Sequence, residues 1–138
     1  MKHLLILLRA MQMFSQNAHH LVKGMSFQQD HAFFGDTYEA IAEDYDALAE
    51  RIIGLYGEEH LDLSHILEAI HQVLLNAPSI NVESNKVFYE YQINMEENLC
   101  EMVKHVISLD LPPGTEQLVG EIANKSEVRQ YKIKQRLK

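Results

Sequence analysis

Apolar side chains recur along this chain with the period of an α-helix. At about 100° per residue, the segment that starts at Ser26 carries its large apolar residues on one side. These residues are Phe27, Phe34, Tyr38, Ile41, Tyr45, Leu48 and Ile52. Ser26 followed by Gln29 is a capping-box start, and Gly24 ends the segment before it. The pattern therefore predicts a long amphipathic helix from Ser26 to about Leu55.

The same period predicts three further long helices and a short one. The predicted helices span His3–Lys23, Ser26 to about Leu55, a short segment that ends before Pro78, Val82–Asp110, and Thr115 to the C-terminal end. Asp62 or Ser64 would cap the short helix, and Thr115 would cap the last one after the stop at Pro112-Pro113-Gly114. The prediction is an all-α, ferritin-like four-helix bundle, with the short helix in the connection between the second and third long helices.

Length and composition favour a single soluble domain over residues 1–138. The chain has only 3 Pro and 6 Gly, so long stretches are free of helix breakers. Its one cysteine, Cys100, excludes an intramolecular disulfide and fits a reducing compartment. The apolar run near the start is short and is interrupted by Arg9, so we interpret it as helix rather than as a signal peptide. We expect a cytoplasmic location without membrane association.

Charge is distributed unevenly along the chain, whose net charge is −8. Five carboxylates of the second helix fall on one side, away from the apolar face: Asp36, Glu39, Glu43, Asp46 and Glu50. Like charges at this spacing repel each other. Either a bound cation offsets the repulsion, or the stripe is an ordinary solvated face.

The C-terminal segment at about 129–138 carries the opposite charge. It holds five cations and no acid: Arg129, Lys132, Lys134, Arg136 and Lys138. Cations near a helix C-terminus are favoured by the helix dipole, which is one interpretation of this basic tail. The other interpretation is a tail that contacts the phosphates of nucleic acid.

Residues 19–51, HHLVKGMSFQQDHAFFGDTYEAIAEDYDALAER, resemble the Dps family of DNA-protecting mini-ferritins. The residues that match in order and spacing are His19, Val22, Gly24, Phe27, His31, Tyr38, Asp46, Ala49, Glu50 and Arg51. A looser likeness continues to the start of the last helix, at Gly114-Thr115. The family's Trp residues are absent, since the chain contains no Trp.

The resemblance implies a function and a set of ligands. Dps proteins form hollow shells of twelve subunits, oxidise Fe(II) with hydrogen peroxide or oxygen, store the ferric product and protect against oxidative damage. Many also bind DNA through a basic tail. Their iron site lies between two subunits, so His19 and His31 would come from one subunit and Asp46 and Glu50 from its partner. Further candidate ligands are His20, Asp36, Glu39 and Glu43. Such a protein would be a ferroxidase-type oxidoreductase.

One expected ligand is missing at Gly35. The family has Asp at this position, four residues after the second His, whereas Asp36 points about 100° away on the helix. The resemblance implies that Asp at position 35 would complete the site. Without it, we expect weaker iron binding or a preference for another divalent metal such as zinc. Two hypotheses follow: an iron-oxidising, iron-storing mini-ferritin, or a Dps-like shell with a degraded iron site that acts mainly as a DNA-binding or structural protein.

The predicted short helix carries a second motif with the spacing of metal ligands. Glu68-x-x-His71 has the spacing used by di-iron carboxylate bundles, but those sites need further copies that this chain lacks. We therefore interpret Glu68 and His71 as a surface pair.

Overall fold

A computed structural model describes all 138 residues, and every regular element in it is helical. The α-helices are α1 (Lys2–Leu21), α2 (Phe27–Tyr56), α3 (Leu63–Val73), α4 (Lys86–Ile107) and α5 (Pro113–Leu137), with a single 3₁₀ turn at Glu58–Leu61. The predicted four long helices, with a short one between the second and third, are confirmed. No helix has the length and apolar character needed to cross a membrane.

The four long helices enclose one apolar core. Helix α1 packs against α2 and α4, α5 packs against α4 and α2, and α3 lies against α1. Each long helix buries its apolar stripe because the 3.6-residue period returns these side chains to one face. Fully buried members include Leu8, Met11, Phe34, Leu48, Phe88, Leu99, Ile122 and Ile133. Phe27 departs from the predicted core face, since 40% of it is exposed.

The three predicted helix caps have different outcomes. Ser26 is the N-cap residue of α2 as predicted, but its side chain makes no capping hydrogen bond to the backbone and donates instead to the Asp30 carboxylate at 2.6 Å. Thr115 lies within the first turn of α5, which begins at Pro113, and its hydroxyl accepts a hydrogen bond from Arg51 at 3.0 Å. Asp62 caps α3 as predicted, accepting from the backbone N–H of His65 at 3.1 Å.

Candidate metal centre

Two histidine side chains meet where α1 ends and α2 begins. His19 lies in the last turn of α1 and His31 lies near the start of α2. The chain reverses between them through Gly24, whose φ of 86° is a conformation that glycine adopts without strain. The two imidazoles stack, with centroids 3.6 Å apart and planes inclined by 17°. The fold thus joins two residues that the sequence separates by twelve positions.

Each imidazole is fixed by the backbone of the other residue. Nδ1 of His19 donates to the carbonyl oxygen of His31 at 2.6 Å, and Nδ1 of His31 donates to the carbonyl oxygen of His19 at 2.7 Å. A carbonyl oxygen only accepts, so each Nδ1 carries a proton, and Nε2 is the ring nitrogen left to bind a metal. Metal-binding histidines are commonly held in this way. The pair therefore presents two oriented imidazole donors.

Aromatic rings enclose the pair. Phe27 stacks on His31 with centroids 4.9 Å apart, and Tyr38 meets the edge of His19 at 5.4 Å. This contact explains why Phe27 lies outside the core face. His20 is exposed, and the centroid of its ring lies 5.2 Å from the centroid of the His19 ring.

Gly35 has a packing role that the sequence did not reveal. A Cβ at this position would lie 2.9 Å from Cε1 and 3.0 Å from Nδ1 of His19. The His19 ring occupies the space that a side chain would need. Gly35 therefore lets α1 place His19 directly against α2, and an Asp at position 35 could not enter without moving His19.

The candidate carboxylates lie apart from the histidine pair. All five members of the acidic stripe are exposed and form no hydrogen bond or salt bridge with another side chain: Asp36, Glu39, Glu43, Asp46 and Glu50. At 1.5 Å per residue, Asp46 lies about 22 Å along α2 from His31, and Glu50 about 28 Å. No group of three or more His, Cys, Asp or Glu side chains within one chain is placed to hold a metal ion. The candidate ligands of one chain thus lie in two separate groups, the histidine pair and Asp46 with Glu50.

Two solved structures share this architecture. Dps92 from Deinococcus radiodurans is 24% identical, with a TM-score of 0.73 over 96% of this chain and 80% of that chain. The Dps protein from Vibrio cholerae O1, a member of a broad superfamily of ferritin-like diiron-carboxylate proteins, is 22% identical, with a TM-score of 0.70 over 99% of this chain and 86% of that chain. This chain has the Dps fold. No family model and no curated protein matches it.

The centre of the bundle, in this version of the Dps fold, holds an ion pair. Bundle proteins of the di-iron carboxylate class place their metals there, using glutamates and Glu-x-x-His pairs. Here the fully buried Glu96 accepts from Arg129 at 2.6 and 3.0 Å, from Ser126 at 2.6 Å and from Gln92 at 2.8 Å. Glu68 and His71 are exposed on α3, away from this centre.

A second buried carboxylate, Asp30, immediately precedes His31 in α2. Its oxygens accept hydrogen bonds from Ser26, Asn85, Tyr89 and Arg136. Burial raises the pKa of Asp30, but the hydrogen bonds from Arg136, Ser26, Tyr89 and Asn85 together outweigh this effect and lower the pKa to about 2. No sequence pattern signals this cluster, because its members are scattered from position 26 to position 136.

The basic C-terminal segment is a continuation of α5 through Leu137. Arg129 is buried against Glu96, and Arg136 is held by Asp30. Lys132, Lys134 and Lys138 are exposed. That this segment binds nucleic acid stays a prediction, and two of its five cations are already engaged within the subunit.

Proposed function

We propose that this chain is a Dps-like mini-ferritin that self-associates, binds Fe(II) between subunits, oxidises it and stores the ferric product. The observation that carries the proposal is the oriented His19/His31 pair, which lies about 22 Å along α2 from Asp46. Neither the histidine pair nor Asp46 with Glu50 is a complete ligand set. In a two-fold dimer, the carboxylates of each subunit can face the histidine pair of the other subunit, because a two-fold contact places the same two surfaces together twice.

Exposed apolar side chains support self-association. Four apolar side chains on α3 and in the segment after it are more than half exposed: Leu63, Leu67, Leu75 and Ile80. Tyr56, at the end of α2, is also more than half exposed. Apolar surface that is left in contact with water commonly marks an interface with another protein. A closed shell of twelve subunits, as the Dps resemblance implies, is part of the proposal.

The chemistry suits Fe(II) as a substrate. Imidazole and carboxylate ligands that leave coordination positions open bind Fe(II) and admit an oxidant. Two Fe(II) ions each lose one electron, and one hydrogen peroxide takes up these two electrons and two protons to give two waters. The protein's part is to hold the ions with His19, His31, Asp46 and Glu50. The exposed acidic stripe would attract the incoming cations.

The between-subunit site is tested by mixing two inactive variants. His19→Ala/His31→Ala lacks the imidazoles and Asp46→Ala/Glu50→Ala lacks the carboxylates, so neither binds Fe(II) at this site. In a randomly mixed assembly, about a quarter of the sites would combine intact histidines with intact carboxylates from a second copy. Anaerobic Fe(II) titration, followed by peroxide-driven oxidation, measures the recovery, and light scattering checks that assemblies form.

The control is Glu58→Ala/Glu59→Ala, which removes two exposed carboxylates from the 3₁₀ turn and should titrate like the natural chain. Recovery no greater than in either parent would refute the between-subunit site. The same titration repeated with Zn(II) tests whether the site prefers that metal.

A second candidate function is a Dps-like shell with a degraded iron site that acts mainly as a DNA-binding or structural protein. Gly35 favours it, because the site has one carboxylate fewer than the Dps resemblance implies. An assembled natural chain that binds no Fe(II) would favour this second candidate.

A further inference from the structure

Asp30 joins the ends of three long helices directly beside His31. Its carboxylate is 0% exposed and lies in the first turns of α2. The donors to it are the Arg136 Nε (3.0 Å) and Nη2 (3.1 Å), the Tyr89 hydroxyl (2.6 Å), the Asn85 amide (2.8 Å) and the Ser26 hydroxyl (2.6 Å). They come from the end of α5, the start of α4 and the start of α2.

The same cluster fixes the loop between the two histidines. The Asn85 side chain accepts from the backbone N–H of Lys23 at 3.0 Å and donates to the carbonyl of Lys23 at 2.7 Å. Arg136 also donates to the Ser26 hydroxyl at 3.1 Å. Asn85 and Arg136 thus hold the segment from Lys23 to Asp30 at both of its ends.

The histidine pair depends on this segment because its hydrogen bonds run to backbone carbonyls. A shift in the first turn of α2 would move the His31 ring and the His31 carbonyl together. That carbonyl accepts from Nδ1 of His19, so both imidazoles would lose their fixed orientation. Arg136, on the last turn of α5, is thus linked through Asp30 to the segment that carries His31.

We propose that Arg136 is a positioning residue for the metal centre, acting through Asp30 on His31. This inference rests on the proposed function, since it assumes that the histidine pair binds metal. A guanidinium is suited to the role because it donates to both carboxylate oxygens in one plane, which the single ammonium of lysine does not do. The alternative is that the cluster only stabilises the bundle.

The test compares Arg136→Met with Gln135→Met in the full-length chain. Gln135 is the exposed neighbour of Arg136 on α5, and its side chain forms no hydrogen bond. The probe is Co(II), whose visible absorption reports the number and geometry of its ligands. Loss of residues that orient metal ligands typically costs 10- to 100-fold in metal affinity, so we expect a loss of about that size in Arg136→Met, with an altered spectrum. Gln135→Met should match the natural chain.

A purely structural role would give a different result. Arg136→Met would then unfold at a lower urea concentration, while the folded protein kept the natural Co(II) affinity and spectrum, and this would overturn the inference. Tyr89→Phe is the second variant in case Arg136→Met does not fold, because it removes one hydrogen bond to Asp30 and keeps the ring. A smaller loss of affinity is expected there, and an unchanged affinity and spectrum would count against the inference. Arg136→Lys should restore only part of the affinity.

The Co(II) titrations also distinguish a failure of this inference from a failure of the proposed function. If the natural chain and His19→Ala gave identical Co(II) titrations, the histidine pair would not be a metal site at all. If only His19→Ala lost binding and both Arg136→Met and Tyr89→Phe kept it, the metal centre would stand and the positioning role of Arg136 would not.

Discussion

Replacement of Gly35 by alanine tests whether the His19 ring rests directly against α2. A glycine inside a helix costs about 1 kcal/mol relative to alanine, so Gly→Ala normally stabilises a helix by that amount. Gly54 offers the matched case, because it lies in the same helix and a Cβ there would meet no atom within 4 Å. We expect Gly54→Ala to raise the free energy of unfolding by up to about 1 kcal/mol.

At Gly35 the same methyl group meets the His19 ring. The Cβ would lie 2.9 Å from Cε1, closer than the roughly 3.5–4.0 Å of an ordinary carbon contact. Moving the ring breaks the 2.6 Å hydrogen bond from Nδ1 to the His31 carbonyl, a loss of about 1 kcal/mol, and overpacking adds about 1–3 kcal/mol. After subtraction of the helix-propensity gain, Gly35→Ala should lower the free energy of unfolding by about 1–3 kcal/mol.

The assay is urea unfolding followed by circular dichroism, repeated at several protein concentrations because the subunits are expected to associate. Equal stabilisation by both alanines would refute the packing of His19 against α2. Fe(II) titration of Gly35→Asp completes the test. The resemblance to Dps proteins implies that this variant gains a ligand, but the structure requires His19 to move first. We therefore expect no tighter binding than in the natural chain, and a clear gain would show that His19 can shift and still bind.

Two further predictions concern the buried charges. The pKa of Asp30 is lowered to about 2 from an ordinary 3.8, so its ionised form contributes about 2 kcal/mol of stability above pH 4, and this contribution is lost as the pH falls from about 4 through 2. Acid unfolding should show this dependence in the natural chain and lack it in Asp30→Asn, and identical acid profiles would contradict the assignment. Arg129→Met leaves Glu96 buried without its cation and should cost about 3–5 kcal/mol in urea unfolding, whereas Lys132→Met on the exposed side of α5 should cost little.

The helical period of the sequence predicted most of the architecture. A stripe that returns every 3.6 residues can be buried only if the segment is a helix, so Phe34, Ile41 and Leu48 specified both α2 and its core face. Pro112 likewise marked the boundary between α4 and α5, although Pro113 and Gly114, which the sequence predicted as part of the stop, are the first residues of α5. The resemblance to Dps proteins also paired His19 with His31, and the structure brings these two rings together.

The tertiary structure alone decided what the charged and small residues do. The run of cations at 129–138 assigns Arg129 and Arg136 to a basic tail, but their partners Glu96 and Asp30 lie 33 and 106 positions away in the sequence. The comparison with the Dps pattern makes Gly35 a missing ligand. The packing of α1 shows instead that the His19 ring fills the space that a side chain at position 35 would need. Periodicity reports which side of a helix is apolar. Which side chain from another helix arrives at a given point depends on how the helices pack, and no local pattern encodes that.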